Sequence, residues 1–217
     1  MLSETVFLKL KGVFAESRII PIAVFTDTTT ALQTTELLLK HDLTVLEITL
    51  RTDSALTCVD AVRKHFPELS LGCGTVLSRE EFDAISEIGV DFAVSPCWSD
   101  NLYEYASALS IPYIPGVATP TELNRVLEKG IPLVKIFPAT PIGGASYLTS
   151  LIAPFRKRDF HIIPTGGINE NNIAQFMSVP EVICCGTSSI IDKNLLEKGD
   201  FEELERRIET FIGLVAQ

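Results

Sequence analysis

Eight short runs rich in apolar and β-branched residues recur along the chain: Ile19–Phe25, Thr44–Arg51, Ser70–Leu77, Phe92–Pro96, Tyr113–Thr119, Leu133–Pro138, His161–Gly166 and Val182–Thr187. Their starts lie 20 to 28 residues apart, which is the length of one strand plus one crossover helix. The intervening stretches carry helix starts. Asp27 and the threonines after it precede Ala31–Leu39, Asp53-Ser54 precede Ala55–Lys64, and Ser78 precedes Arg79–Ile88 with two Glu in its first turn. Ser99-Asp100, Pro120-Thr121 and Asn169 occupy the same place further on. Polar caps and acidic first turns suit the positive end of a helix dipole. A helix is expected near the N-terminus, where Val6, Phe7, Leu10, Val13 and Phe14 share one face, and another at Phe201–Val215. Eight alternating β and α units in 217 residues predict a single α/β domain spanning 1–217, a (β/α)₈ TIM barrel with a short N-terminal helix. An open doubly wound sheet is the rival. Its GxGxxG turn is missing after the first strand, where Val24-Phe25-Thr26-Asp27 stands.

Composition narrows the function classes. The net charge of −10 argues against a nucleic-acid partner, because phosphate-backbone binding depends on Lys and Arg. No apolar run is long enough to span a bilayer, and Met1–Phe14 lacks the layout of a secretory signal, so a cytoplasmic protein is expected, with no membrane partner. The five cysteines include no CxxC pair, and adjacent Cys184 and Cys185 disfavour a disulfide with each other; buried free thiols are expected. His41, His65 and His161 are scattered and belong to no ligand motif. No metal site is expected, so acid–base chemistry falls to Asp, Glu, Lys, Tyr or Cys.

Two polar residues stand where they are costly. Parallel barrel strands are covered on both faces and should read almost wholly apolar. In Thr44–Arg51, Leu46, Ile48 and Leu50 share one face, which places Glu47, Thr49 and Arg51 on the other, toward the barrel interior. The bland alternative, a charged edge strand, has no place in a closed barrel. In Leu133–Pro138, Lys135 is the one charged group between Val134 and Ile136. An isolated ammonium is expensive to bury, and the neutral amine that relieves the cost is a nucleophile toward ketones. The bland alternative is a lysine that snorkels from a strand end into water.

Two glycine-bearing strand ends follow: Pro164-Thr165-Gly166-Gly167-Ile168-Asn169 and Cys185-Gly186-Thr187-Ser188-Ser189. Barrels of this kind bind phosphate at the loops after their last two strands, where glycine lets backbone N–H groups approach the anion. Taken singly, each is also ordinary turn chemistry. The same holds for Gly72-Cys73-Gly74-Thr75, Ser95-Pro96 and Pro115–Thr119 at the ends of the third to fifth strands. Trp98, Tyr103 and Tyr105 read as packing or rim residues.

The segments Val45–Thr52, Gly72–Leu77, Ile114–Thr119, Val134–Ala139 and Pro164–Ile168, in this order, resemble the 2-keto-3-deoxy-6-phosphogluconate (KDPG) aldolase family, which includes 4-hydroxy-2-oxoglutarate (KHG) aldolases. The resemblance covers about residues 15 to 195 and is carried most specifically by Leu46-Glu47, Thr49–Thr52 and Lys135 with Phe137-Pro138-Ala139. It implies a class I aldolase without cofactor or metal, with Lys135 as Schiff-base lysine and Glu47 as acid/base. It further implies Arg51 and Thr75 at the carboxylate of a pyruvate unit and Pro96 and Phe137 as pocket walls. Thr165, Gly166, Gly167 and Ser188 would lie along a phosphorylated 2-keto acid substrate, and the assembly would be a homotrimer. Cys97, Thr140 and Ser189 depart from the residues common in that family, which leaves the choice of 2-keto acid open. KHG or another 2-keto-3-deoxy acid is the near alternative. A phosphate-binding barrel of another reaction class, or a non-catalytic barrel, is the distant one.

Overall fold

The computed structural model describes residues 4–216; Met1–Ser3 and Gln217 of the expected 1–217 domain lie outside them. Helix α1 (Glu4–Ser17) leads into strand β1 (Ile19–Ala23), followed by α2 (Thr28–Lys40), β2 (Val45–Thr49), α3 (Ala55–His65), β3 (Ser70–Gly74), α4 (Arg79–Ile88), β4 (Phe92–Val94) and α5 (Asp100–Ala108). The second half runs β5 (Tyr113–Ile114), β6 (Gly116–Val117), α6 (Pro120–Glu128), β7 (Leu133–Ile136), α7 (Gly144–Ile152), β8 (His161–Pro164), α8 (Ile173–Met177), β9 (Cys185–Thr187), α9 (Lys193–Lys198) and α10 (Phe201–Val215). All strand pairs are parallel, in the orders β5-β4-β3-β2-β1-β9 and β6-β7-β8. The protein is an α/β fold with a curled parallel sheet.

The expected closed eight-stranded ring is thus described as two sheets, and the fifth apolar run is two strands rather than one. Pro115 separates them because it has no N–H to give to a ladder. Its carbonyl still accepts from Lys135 N at 2.9 Å, so it stays bound to β7. On the other side, isolated bridges pair Thr165 with Gly186 and Ile162 with Val182. Most strands are shorter than the apolar runs because the run continues into a loop at its C-terminal end; β9 instead lacks the first three residues of its run, Val182–Cys184.

The two faces of each strand pack into different cores. Leu46 and Ile48 of β2 join Val59 and Val62 of α3 in the shell between strands and helices. Val45 of the same strand joins Ile20, Phe92, Leu133, Ile163 and Cys184 in a smaller interior cluster. Helix α1 seals that interior with Leu10 and Phe14; the Phe14 ring meets Phe92 edge-on at 5.3 Å. Each such fully buried side chain contributes ~1.5–3 kcal/mol.

The helix starts follow local chemistry. Asp27 accepts from Thr30 N, and Ser78–Glu81 and Thr119–Glu122 form reciprocal capping boxes. Substituting such a cap costs ~1 kcal/mol. Ser54 makes no cap hydrogen bond, and the cap before α6 is Thr119 with Pro120 inside the first turn. Cys97 is exposed, against the expectation of buried thiols; the other four cysteines are buried, and all five are free. Trp98, Tyr103 and Tyr105 are partly buried against the shell. No helix among the described residues is long and apolar enough to cross a membrane.

Candidate active site

Parallel register brings the two anomalous residues onto the interior face. Glu47 pairs with Ile22 on one side and Gly72 on the other, while Lys135 pairs with Gly116 and Ile163. Both are almost entirely removed from solvent, Lys135 with 5 % and Glu47 with 3 % of its surface exposed. Lys135 Nζ stands 3.6 Å from Glu47 Oε1, close enough for an ion pair. Glu47 Oε1 itself accepts no hydrogen bond. A buried acceptor without a donor costs ~1–3 kcal/mol, so this pair is not there for stability. The Phe137 ring lies 5.3 Å below the ammonium.

Glycines make the room. A Cβ on Gly74 would overlap Glu47 Oε1, and one on Gly72 would overlap the Phe92 ring. A Cβ on Gly116 would overlap the Pro96 carbonyl, so Gly116 lets the segment after β4 close over the strand beside Lys135. Neither Gly72 nor Gly74 has a positive φ. Their task is space inside the sheet rather than the turn chemistry expected of them. The i, i+2 spacing of two glycines on one strand face was the available signal.

At the rim, exposed Arg51 donates from Nε to Thr75 Oγ1 at 3.2 Å. Thr75 has φ +64°, a conformation that costs a β-branched residue ~1–3 kcal/mol and is typical of functional positions.

The loops after β8 and β9 are tied together. Thr140 Oγ1 and Asn172 Nδ2 both donate to Gly167 O at 2.9 Å. Gly166 and Gly167 have φ +96° and +77°, which side-chain-bearing residues rarely adopt. Thr165 is buried, and its Oγ1 lies where a Cβ on Gly186 would intrude. Thr187 is buried too, and its hydroxyl donates to Ile168 O at 2.7 Å, so it braces the loop. Ser189 Oγ donates to the same carbonyl at 2.8 Å, and Arg207 Nη1 donates to Ser189 O at 2.9 Å. Ser188 is exposed. The N–H groups of Gly167 and Ser188 donate to nothing in the described chain. Sequence reasoning missed the supporting roles of Gly74, Gly116, Thr140 and Arg207, because each acts through a contact between distant segments.

The remaining nucleophiles near Glu47 are quenched. Burial pushes the Cys73 and Cys184 thiols far up, and the Glu47 carboxylate adds to the shift in both. Lys135 is left as the buried nucleophile. No group of three or more potential metal ligands occurs among the described residues.

Residues 10–207 match the family model described as "Aldolase: KDPG and KHG aldolase". The chain is 35 % identical over 191 residues to the 2-dehydro-3-deoxy-phosphogluconate aldolase of Pseudomonas aeruginosa, covering 88 % of this chain and 86 % of that one. It is similar to KDPG aldolase from Legionella pneumophila, whose structure holds pyruvate captured as a covalent carbinolamine intermediate. That match has a TM-score of 0.86 and 32 % identity over 91 % of this chain and 95 % of that one. A Zymomonas mobilis 2-keto-3-deoxy-6-phosphogluconate aldolase solved with 3-phosphoglycerate matches with a TM-score of 0.81 and 31 % identity, covering 91 % and 94 %.

Proposed function

Because the chain belongs to the KDPG and KHG aldolase family, we propose that it cleaves 2-keto-3-deoxy-6-phosphogluconate to pyruvate and glyceraldehyde 3-phosphate, with Lys135 as Schiff-base lysine and Glu47 as general acid/base. The observation that carries this reading is the buried pair itself, Nζ to Oε1 at 3.6 Å, with the carboxylate oxygen free of any hydrogen bond.

Lys135, as the free amine, attacks the C2 ketone to give a carbinolamine. Loss of water leaves a protonated imine, which draws electrons as a metal would. Glu47 removes the C4 hydroxyl proton, the C3–C4 bond breaks, and its electrons pass into the imine to form an enamine. The aldehyde leaves. Protonation at C3 and hydrolysis release pyruvate and free Lys135. Arg51 and Thr75 hold the pyruvate carboxylate, and Pro96 and Phe137 wall the pocket. Thr165, Gly166, Gly167, Gly186 and Ser188 follow the chain to the phosphate, with Thr187 as their brace. The free N–H groups of Gly167 and Ser188 support a phosphorylated substrate over unphosphorylated KHG. The capture of pyruvate in the Legionella relative supports the imine chemistry.

The same reading includes one domain closed as a (β/α)₈ barrel. Pro115 between β5 and β6, and the bridges from Thr165 and Ile162, support closure. It also includes a metal-independent homotrimer in the cytoplasm, open to chelation and sedimentation tests.

Treatment with pyruvate and borohydride should add one reduced pyruvyl group, which peptide mass mapping should place on Lys135. Lys135→Arg should fold and be inactive, and chelator should leave the wild type active. A label on another lysine, or activity lost with chelator, overturns the class I assignment. Rates on KDPG and KHG, measured side by side, test the substrate choice.

A further inference from the structure

At the opposite end of the strands from Lys135, a pocket of about 440 Å³ opens between the C-terminal half of α1 and the starts of β1, β8 and β9. Its charged or titratable lining consists of Lys11, Arg18 and His161; Gly12, Ala15, Pro180, Val182 and Ile183 complete it. In a chain of net charge −10, a pocket lined by no carboxylate is a local reversal of sign.

The three groups are poorly matched by the protein itself. Neither the Arg18 guanidinium nor the His161 ring makes a hydrogen bond or ion pair in the described chain, and Arg18 Nε is buried without a partner. Among the described residues Lys11 reaches only Asp159, at 3.9 Å, and that carboxylate side chain is 90 % exposed. Glu181, between the lining residues Pro180 and Val182, does not itself line the pocket; Arg156 engages its Oε1 at 2.9 Å, and its Oε2 is buried without a partner. Burial, and next the Lys11 ammonium, hold the His161 imidazole below its ordinary range, while Asp159 opposes them.

The backbone at Arg18 adds an independent observation. Arg18 follows α1 with φ +57°, and its N–H closes the helix on Phe14 O at 2.9 Å. Glycine is the usual residue in that left-handed position, and any other residue there is strained. A long cation thus stands in a glycine position at the pocket's lining, with its buried Nε unpaired.

We propose that this pocket is a second ligand site, separate from the aldolase centre, for a small dianion of the phosphate monoester class. The two cations, Lys11 and Arg18, match a charge of ~−1.5 to −2, and the volume suits a small metabolite. Arg18 supplies the planar fork that phosphate oxygens fit, Lys11 a mobile point charge, and His161 a donor when protonated.

The test reads His161 directly. Only three histidines exist, so loss of one imidazole signal in His161→Gln assigns its resonance. Inorganic phosphate, titrated into the full chain at constant pH, should shift the His161 signal to saturation. Arg18→Gln and Lys11→Gln should each weaken that response about tenfold or more, the size of a lost charge-assisted hydrogen bond. Lys11 lies on a partly exposed helix face, so its variant should fold even if Arg18→Gln does not. Gly167→Val, which affects the loops near Lys135, should leave the response intact. The proposal is overturned if the signal stays put, if chloride at equal ionic strength moves it as far, or if the response survives Lys11→Gln or vanishes in Gly167→Val.

Discussion

At the scale of single residues, the chemistry rests on groups that are expensive where they stand. Lys135 and Glu47 are nearly dry, and the carboxylate keeps an unbonded oxygen. Glu47→Gln preserves shape and removes the base, so imine formation should persist in part while turnover falls by about 10²- to 10⁴-fold. Borohydride trapping beside steady-state rates checks this, and near-normal turnover would take Glu47 out of the mechanism. Gly74→Ala is a sharper probe of placement. The new Cβ would enter the space of Glu47 Oε1, so the carboxylate must swing away while the backbone keeps its ordinary φ. We expect kcat to drop with little change in KM, and Lys135 to remain labelled by pyruvate; a variant with unaltered kcat would mean the carboxylate position does not matter. Lys135 and Glu47 were legible in the sequence because each breaks an apolar strand. Gly74 was not, because a missing side chain leaves no periodic mark and its value lies on a neighbouring strand.

At the scale of elements, periodicity located the eight strand runs and the two longest helices, α1 and α10, while polar residues marked the starts of α2 to α6. Helix α10 runs Phe201–Val215 as its amphipathic pattern predicts. The limits came where local signals compete. Pro115 divides one apolar run into β5 and β6, and α7 begins at Gly143-Gly144 without any capping side chain to announce it. The phosphate loops were legible as glycine pairs, but their bracing was not. Thr187 resembles a ligand-facing hydroxyl in the sequence, yet its proton goes to Ile168 O. That bracing makes Gly167 a critical test. At φ +77°, with Thr140 against any added Cβ, Gly167→Val is strained and crowds the loop. Apparent affinity for KDPG should fall at least about tenfold, the size of one charge-assisted bond, while pyruvate labelling of Lys135 is unchanged. Equal losses for both would count against a phosphate role for this loop.

At the scale of the whole molecule, the interior of the curled sheet works as one stack, sealed from below by α1 and holding the reactive pair above. Phe14 rests edge-on against Phe92, the Phe92 ring occupies the space that Gly72 leaves, and Gly72 is the register partner of Glu47. The sequence showed α1 as amphipathic but could not show what its apolar face covers, since that depends on closure of strands far along the chain. Phe14 is fully buried, so Phe14→Ala should destabilise the protein by ~3–5 kcal/mol through lost transfer energy and a residual cavity. The midpoint of urea unfolding should fall with little change in slope, because the surface exposed on unfolding hardly alters. A cavity beneath Phe92 also lets the layer above relax, and the Glu47 carboxylate is held there by packing rather than by hydrogen bonds at Oε1. Turnover should therefore decline in Phe14→Ala at temperatures well below unfolding, with KM for KDPG nearly constant because the phosphate loops lie at the far end of the strands. Phe14→Leu, which refills most of the volume, should recover most of both losses. Stability lost without any change in kcat would show that α1 closes the interior without holding the catalytic layer in place.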